Sequence, residues 1–116
     1  MKLKSLLLIA LVTIVFCGCQ SNYQPTTFTV ASYNLRNANG SDSLHGNGWG
    51  QRYPYIAQIV QFHGFDIFGT QEGKYPQLQD LRQAMPGYDY IGVGRDDGKR
   101  AGEHSALFCR TAKFEV

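Results

Sequence analysis

Asp66-Ile67-Phe68-Gly69-Thr70-Gln71-Glu72 is the stretch on which the fold turns. The apolar run from Phe65 to Gln71 reads as a buried strand. Its end is unusual, because a carboxylate follows side chains as apolar as Ile67 and Phe68. Such a group is either hydrogen-bonded in a turn or aimed at a cation. In open α/β sheets, ligand-handling groups collect beyond the carboxyl ends of strands, and Glu72 stands at such an end.

Working outward, a second strand precedes this one. Phe28, Val30 and Ser32 point one way and Thr29, Ala31 and Tyr33 the other, a period of two that ends near Asn34. Arg36 to Gly50, crowded with Asn, Gly and Ser, reads as a loop. Tyr53, Ile56, Ala57 and Val60 fall at helical spacing, with Pro54 in the first turn and Gly64 as the stop. Beyond Glu72, Tyr75, Leu78 and Leu81 predict a second amphipathic helix closed by Pro86-Gly87. Strands are predicted at Tyr88 to Val93 and Ser105 to Arg110, joined by a polar loop from Gly94 to Gly102. Phe114-Glu115-Val116 reads as the start of a further strand. The order strand, helix, strand, helix, then strands makes a mixed α/β class. Four strands and two helices leave one sheet face uncovered, so the core is expected to be incomplete.

The first stretch does not belong to this domain. Lys2 and Lys4 precede an apolar run from Leu6 to Phe16, and Gly18-Cys19 is followed by polar Gln20, Ser21 and Asn22. A charged start, a short apolar core and a small residue before the cut describe a secretory signal peptide, here residues 1–18. The run is too short for a spanning helix, which needs about 20 apolar residues. Val15-Phe16-Cys17-Gly18-Cys19 resembles the lipobox of bacterial lipoproteins, with Cys19 the lipidated residue and 19–26 a polar tether. That predicts an exported chain held at a membrane, in the periplasm or on the outer membrane, by lipid and not by a span.

Charge narrows the partners. Lys2 and Lys4 are two of the 11 Lys+Arg, so the rest carries nine of each sign. No basic surface announces nucleic acid. With Cys19 lipidated, Cys109 is the free thiol of the domain, so no disulfide framework is expected. No internal repeat or low-complexity tract appears.

Several features recur in a set order: Ala31-Ser32-Tyr33-Asn34-Leu35-Arg36, Trp49 with Arg52, Asp66 to Glu72, Gln77-Leu78 with Leu81, Tyr90 to Gly98, Gly102-Glu103 and Ala106-Leu107-Phe108. The ordered set resembles the amino-terminal third of the endonuclease/exonuclease/phosphatase, or DNase I-like, superfamily. The resemblance implies a four-layer α/β sandwich in which two mixed sheets pack face to face, with residues 27–116 its truncated amino-terminal part. It also implies hydrolysis of a phosphodiester or phosphomonoester with Mg²⁺ or Mn²⁺, on nucleic acid, phospholipid, or sugar or inositol phosphate. Glu72 matches the family's metal-ligating glutamate. Asn34 matches the asparagine beside metal and scissile phosphate, and Glu103 the glutamate that supports a catalytic histidine. Mg²⁺ prefers oxygen ligands and is often held by one or two carboxylates plus substrate phosphate.

Arg36, two residues beyond Asn34, faces the same side if the strand continues and is then a substrate contact. Arg95 is either a phosphate contact or a loop arginine paired with Asp96 or Asp97. Asp97-Gly98 is a turn signal. His45, His63 and His104 lack metal-ligand spacing, which argues against zinc. None falls where the family keeps its catalytic histidines, so this chain by itself is expected to be inactive. A second reading is a lipid-anchored binding module without catalysis, with Trp49, Tyr53 and Tyr55 as an aromatic platform. No protein partner is implied.

Overall fold

The computed structural model describes residues 27–116. The signal peptide expected at 1–18 and the lipidated Cys19 with its tether at 19–26 lie outside the described residues. The elements run β1 (Val30–Asn34), α1 (Gly40–Leu44), α2 (Trp49–His63), β2 (Ile67–Lys74), α3 (Tyr75–Ala84), β3 (Tyr88–Ile91) and β4 (Glu103–Arg110). The four strands form one sheet in the order β1-β2-β4-β3. β1 pairs with β2 in parallel, and the other pairs are antiparallel. The mixed α/β class read from the sequence is therefore the class observed.

Both longer helices form for local reasons. α2 stops at Gly64, whose left-handed backbone (φ 63°) lets its N–H reach Gln61 and Val60 carbonyls. α3 begins with Pro76 in its first turn, where the missing N–H is no loss. Each helix turns an apolar stripe to the sheet, Ile56 and Val60 from α2 and Leu78 and Leu81 from α3. They pack on Phe68 and Phe108, fully buried register partners on β2 and β4 whose rings stack at 5.0 Å. Burying each such ring stabilises the fold by roughly 1.5–3 kcal/mol.

The other sheet face is largely open among the described residues. Val30, Leu107 and Ile91 share it, since Ile91 pairs with Leu107, Leu107 with Gly69 and Gly69 with Ser32. They are 62%, 41% and 55% exposed. The uncovered face anticipated from the element count is thus present.

Three sequence expectations need correction. The stretch from Arg36 to Gly50 is not all loop: α1 lies within it, started by Asn39, whose Oδ1 accepts the Asp42 N–H at 2.9 Å. α2 begins at Trp49, so Pro54 sits inside the helix and not in its first turn. Phe114 to Val116 forms no strand; Phe114 instead meets Phe28 edge to face at 5.9 Å.

Candidate functional site

Because β1 and β2 run parallel, their carboxyl ends lie side by side, with Asn34 opposite Gln71. Alternation along β1 puts Asn34 on the open face with Ser32 and Val30. The same alternation would send Glu72 to the opposite, helix-covered face with Thr70. A bulge prevents this. Thr70 pairs with Ala106 and Gly73 with His104, so β2 spends three steps where β4 takes two. Gly73 is back on the helix-covered face, where an added Cβ would meet Leu35 and Leu78 at 3.0 Å. Gln71 and Glu72 both fall on the open side, and Glu72 adopts a left-handed backbone at φ 60° to do so. A non-glycine residue in that region is strained, by about 1–3 kcal/mol.

The consequence is a contact between residues 38 apart in sequence: Asn34 Nδ2 donates to Glu72 Oε1 at 2.9 Å. The orientation of the amide is unambiguous. Arg36 N–H can only donate, and it meets Asn34 Oδ1 at 2.8 Å, so the NH₂ group must face Glu72. The second carboxylate oxygen accepts the Asn37 N–H at 3.4 Å. These bonds, with Asn34 the larger influence and Arg36 adding charge, hold the Glu72 carboxyl below its usual 4.5.

Glu103 opens β4 on the same side. Asn37 Nδ2 donates to it at 3.0 Å and Arg95 Nη1 at 3.3 Å. Asn37 therefore links the two glutamates, which line one cleft with Gln71, Arg95 and Ser105. Sequence reasoning missed Asn37, hidden in a loop rich in its own residue type.

Arg36 does not extend the strand. β1 ends at Asn34, and Arg36 turns left-handed at φ 52°. Its guanidinium forks onto Asp42 at 2.6 and 2.7 Å, which drives the Asp42 carboxyl down to about 2. The outer edge remains exposed. Arg95 pairs with Asp96 and Glu103, while Asp97 caps a turn by accepting the N–H groups of Lys99 and Ala101.

Among the described residues no three His, Cys, Asp or Glu side chains converge as a metal cluster. His45 is exposed, His63 stacks on Phe65, and His104 is buried on the helix-covered face behind Gly73. The donor set nonetheless fits a hard cation bound through one carboxylate and water. A carboxylate offers about four lone-pair positions, and only two on Glu72 are engaged. Mg²⁺ commonly binds with so few protein ligands.

The aromatic platform does not form. Trp49 and Tyr53 stack at 5.8 Å against the core, and Trp49 Nε1 donates to Asp80 at 2.8 Å. Tyr55 stands apart, 65% exposed.

No family model matches the chain, and no curated protein matches it. Solved structures do. An endonuclease/exonuclease/phosphatase family protein from Bacteroides thetaiotaomicron is 73% identical, with a TM-score of 0.79 over 81% of this chain and 35% of its own. A Bacteroides thetaiotaomicron mannosyl-6-phosphatase is 72% identical, with a TM-score of 0.76 over 78% of this chain and 34% of its own. An endonuclease/exonuclease/phosphatase from Bacteroides vulgatus is 48% identical, with a TM-score of 0.75 over 79% of this chain and 34% of its own. The chain thus spans about a third of the length of these structures.

Proposed function

The chain belongs to the endonuclease/exonuclease/phosphatase family as a partial member, and we propose that it carries the metal-holding edge of a phosphoesterase site. The observation behind this reading is the Asn34–Glu72 hydrogen bond between the end of β1 and the bulge near the end of β2. Glu72 would hold Mg²⁺ or Mn²⁺ through its free lone pairs. A cation there offsets charge developing on phosphate oxygens as the ester bond breaks. Asn34 keeps Glu72 ionised and aimed, and its second Nδ2 hydrogen is free for a phosphate oxygen. Arg36 offers the guanidinium edge that Asp42 leaves open, and Glu103 supports a catalytic histidine from outside the described residues.

A sugar phosphate is the substrate class we favour. The mannosyl-6-phosphatase at 72% identity supports it. So does the even balance of nine positive and nine negative side chains beyond Lys4, because high-affinity duplex binding draws on phosphate neutralisation. For the fold we propose the four-layer sandwich, its second sheet covering the open face that bears Val30, Leu107 and Ile91. For location we propose export, with Cys19 lipidated and the protein at a membrane. The 116-residue chain by itself is proposed to lack turnover, since His45, His63 and His104 among the described residues are not brought to the Glu72 carboxylate.

The test is phosphate release from mannose 6-phosphate with Mg²⁺, by a polypeptide of the relatives' length carrying these residues. Glu72→Gln should lower the rate by roughly 10²-fold or more at unchanged melting temperature. Undiminished turnover in that variant removes Glu72 from the mechanism.

A further inference from the structure

The Arg36 main chain is held on both sides of its Cα. Its N–H fixes Asn34 Oδ1, as described above. Its carbonyl accepts two side chains at once, Arg52 Nη2 from α2 and Gln77 Nε2 from α3, each at 3.1 Å. Neither donor stops there. Arg52 Nη1 also donates to the Leu35 carbonyl at 2.6 Å, and its Nε to the Asn47 carbonyl at 2.9 Å. Gln77 Oε1 accepts the Ala38 N–H at 3.0 Å and the Lys74 N–H at 3.1 Å. Gln77 is 1% exposed and satisfied through both ends of its amide. It therefore ties the loop after β1 directly to the end of β2, the two segments that bear Asn34 and Glu72.

This arrangement answers a physical difficulty. Arg36 is a non-glycine residue in left-handed backbone, a conformation that persists only when its surroundings over-determine it. The Arg36 N–H shares its peptide unit with the Leu35 carbonyl, which Arg52 Nη1 holds, and the Arg36 φ couples that unit to the one bearing the Arg36 carbonyl. If this main chain relaxed, the N–H would leave Asn34 Oδ1. The Asn34 amide would then be free to rotate away from Glu72. A salt bridge of Arg36 to Asp42 holds the side chain, but among the described residues Arg52 and Gln77 alone hold its carbonyl.

We propose that Arg52 and Gln77 are positioning residues that aim the Asn34 amide at Glu72 by clamping the Arg36 carbonyl. The inference rests on the phosphoesterase reading of the same site. Each acts through the main chain at Arg36, to which it donates. Sites held by such supports lose rate steeply when a reacting group drifts by about 1 Å, on the order of 10²-fold.

The experiment compares Gln77→Met and Arg52→Lys with wild type in a polypeptide of the relatives' length, using p-nitrophenyl phosphate and Mg²⁺. Arg52→Lys keeps the charge and one donor but loses the fork that spans the Leu35 and Arg36 carbonyls, and a melting curve checks that each variant is folded. The expected result is a kcat at least about 10-fold lower with KM within threefold. In the nitrogen-15 spectrum the Asn34 side-chain NH₂ pair should shift while distant backbone amides stay in place. A packing role alone would lower the melting temperature and move neither readout. The clamp is overturned by kcat within twofold of wild type and unmoved Asn34 signals in the folded variants, while Glu72→Gln is inactive. Turnover that survives Glu72→Gln instead overturns the site reading on which the clamp rests.

Discussion

The Asn34 amide and the Glu72 carboxylate meet at 2.9 Å because β2 carries one residue more than its antiparallel partner just before its end. Without that bulge the carboxylate would lie under the helices, on the face opposite Asn34. The strained backbone of Glu72 and Arg36 flanks this one contact. Strain of this kind gathers where surrounding structure enforces a geometry that local preference would not choose.

Removing the amide should release the carboxylate. In EDTA, with no metal competing, Glu72 is expected to titrate below 4.5, held there first by Asn34. Asn34→Ala should raise its midpoint toward that ordinary value, followed through the side-chain carboxyl carbon by NMR. A midpoint that does not move would mean that Asn34 contributes nothing to the ionised state.

Acid stability should report Asp42. Its carboxyl is drawn from 3.8 to about 2 by the Arg36 fork, so the folded state favours the ionised form. That advantage is complete above about pH 4, shrinks as pH falls, and is gone below about pH 2. The melting temperature should therefore drop across this window, and Asp42→Asn should flatten the drop. An identical slope in the variant would place the acid sensitivity elsewhere.

Phe108→Ala should strike the centre of the core, where its ring lies 9° from parallel with Phe68. A fully buried phenylalanine cut to alanine typically loses about 3–5 kcal/mol. Urea unfolding checks the value, and a loss under about 1 kcal/mol would show that the sheet and helices hold together by other contacts.

Cys19→Ser should abolish lipid attachment. In a bacterial host the wild-type chain is expected in the detergent phase and labelled by radioactive palmitate, and the variant in the aqueous phase without label. Equal labelling of both would assign the lipid to another residue or to none.

Much of the fold could be read because its signals are local. Alternation from Phe28 to Asn34, the apolar run at Ile67-Phe68 and the Gly64 stop each follow from a few neighbouring residues. The short helix α1 was also written locally, in Asn39 followed three residues later by Asp42, but loop composition masked it. The site was legible in part. Asn34 ends β1 as the alternation predicts, whereas Glu72, expected at the end of its strand, lies inside β2 two residues short of Lys74. The bulge that turns Glu72 to the open side depends on pairing with Ala106 and His104, more than 30 residues away, which no local pattern encodes. The same holds for Asn37, Arg52 and Gln77, whose partners are main-chain groups or distant carboxylates.

The most direct measurement is a Mn²⁺ anomalous difference map from crystals of a polypeptide of the relatives' length carrying these residues. A peak at about 2.1 Å from a Glu72 carboxylate oxygen, beside Asn34 and absent in Glu72→Gln, is the predicted result. A bound Mn²⁺ that leaves Glu72 uncoordinated, or one that persists unchanged in Glu72→Gln, would contradict the account.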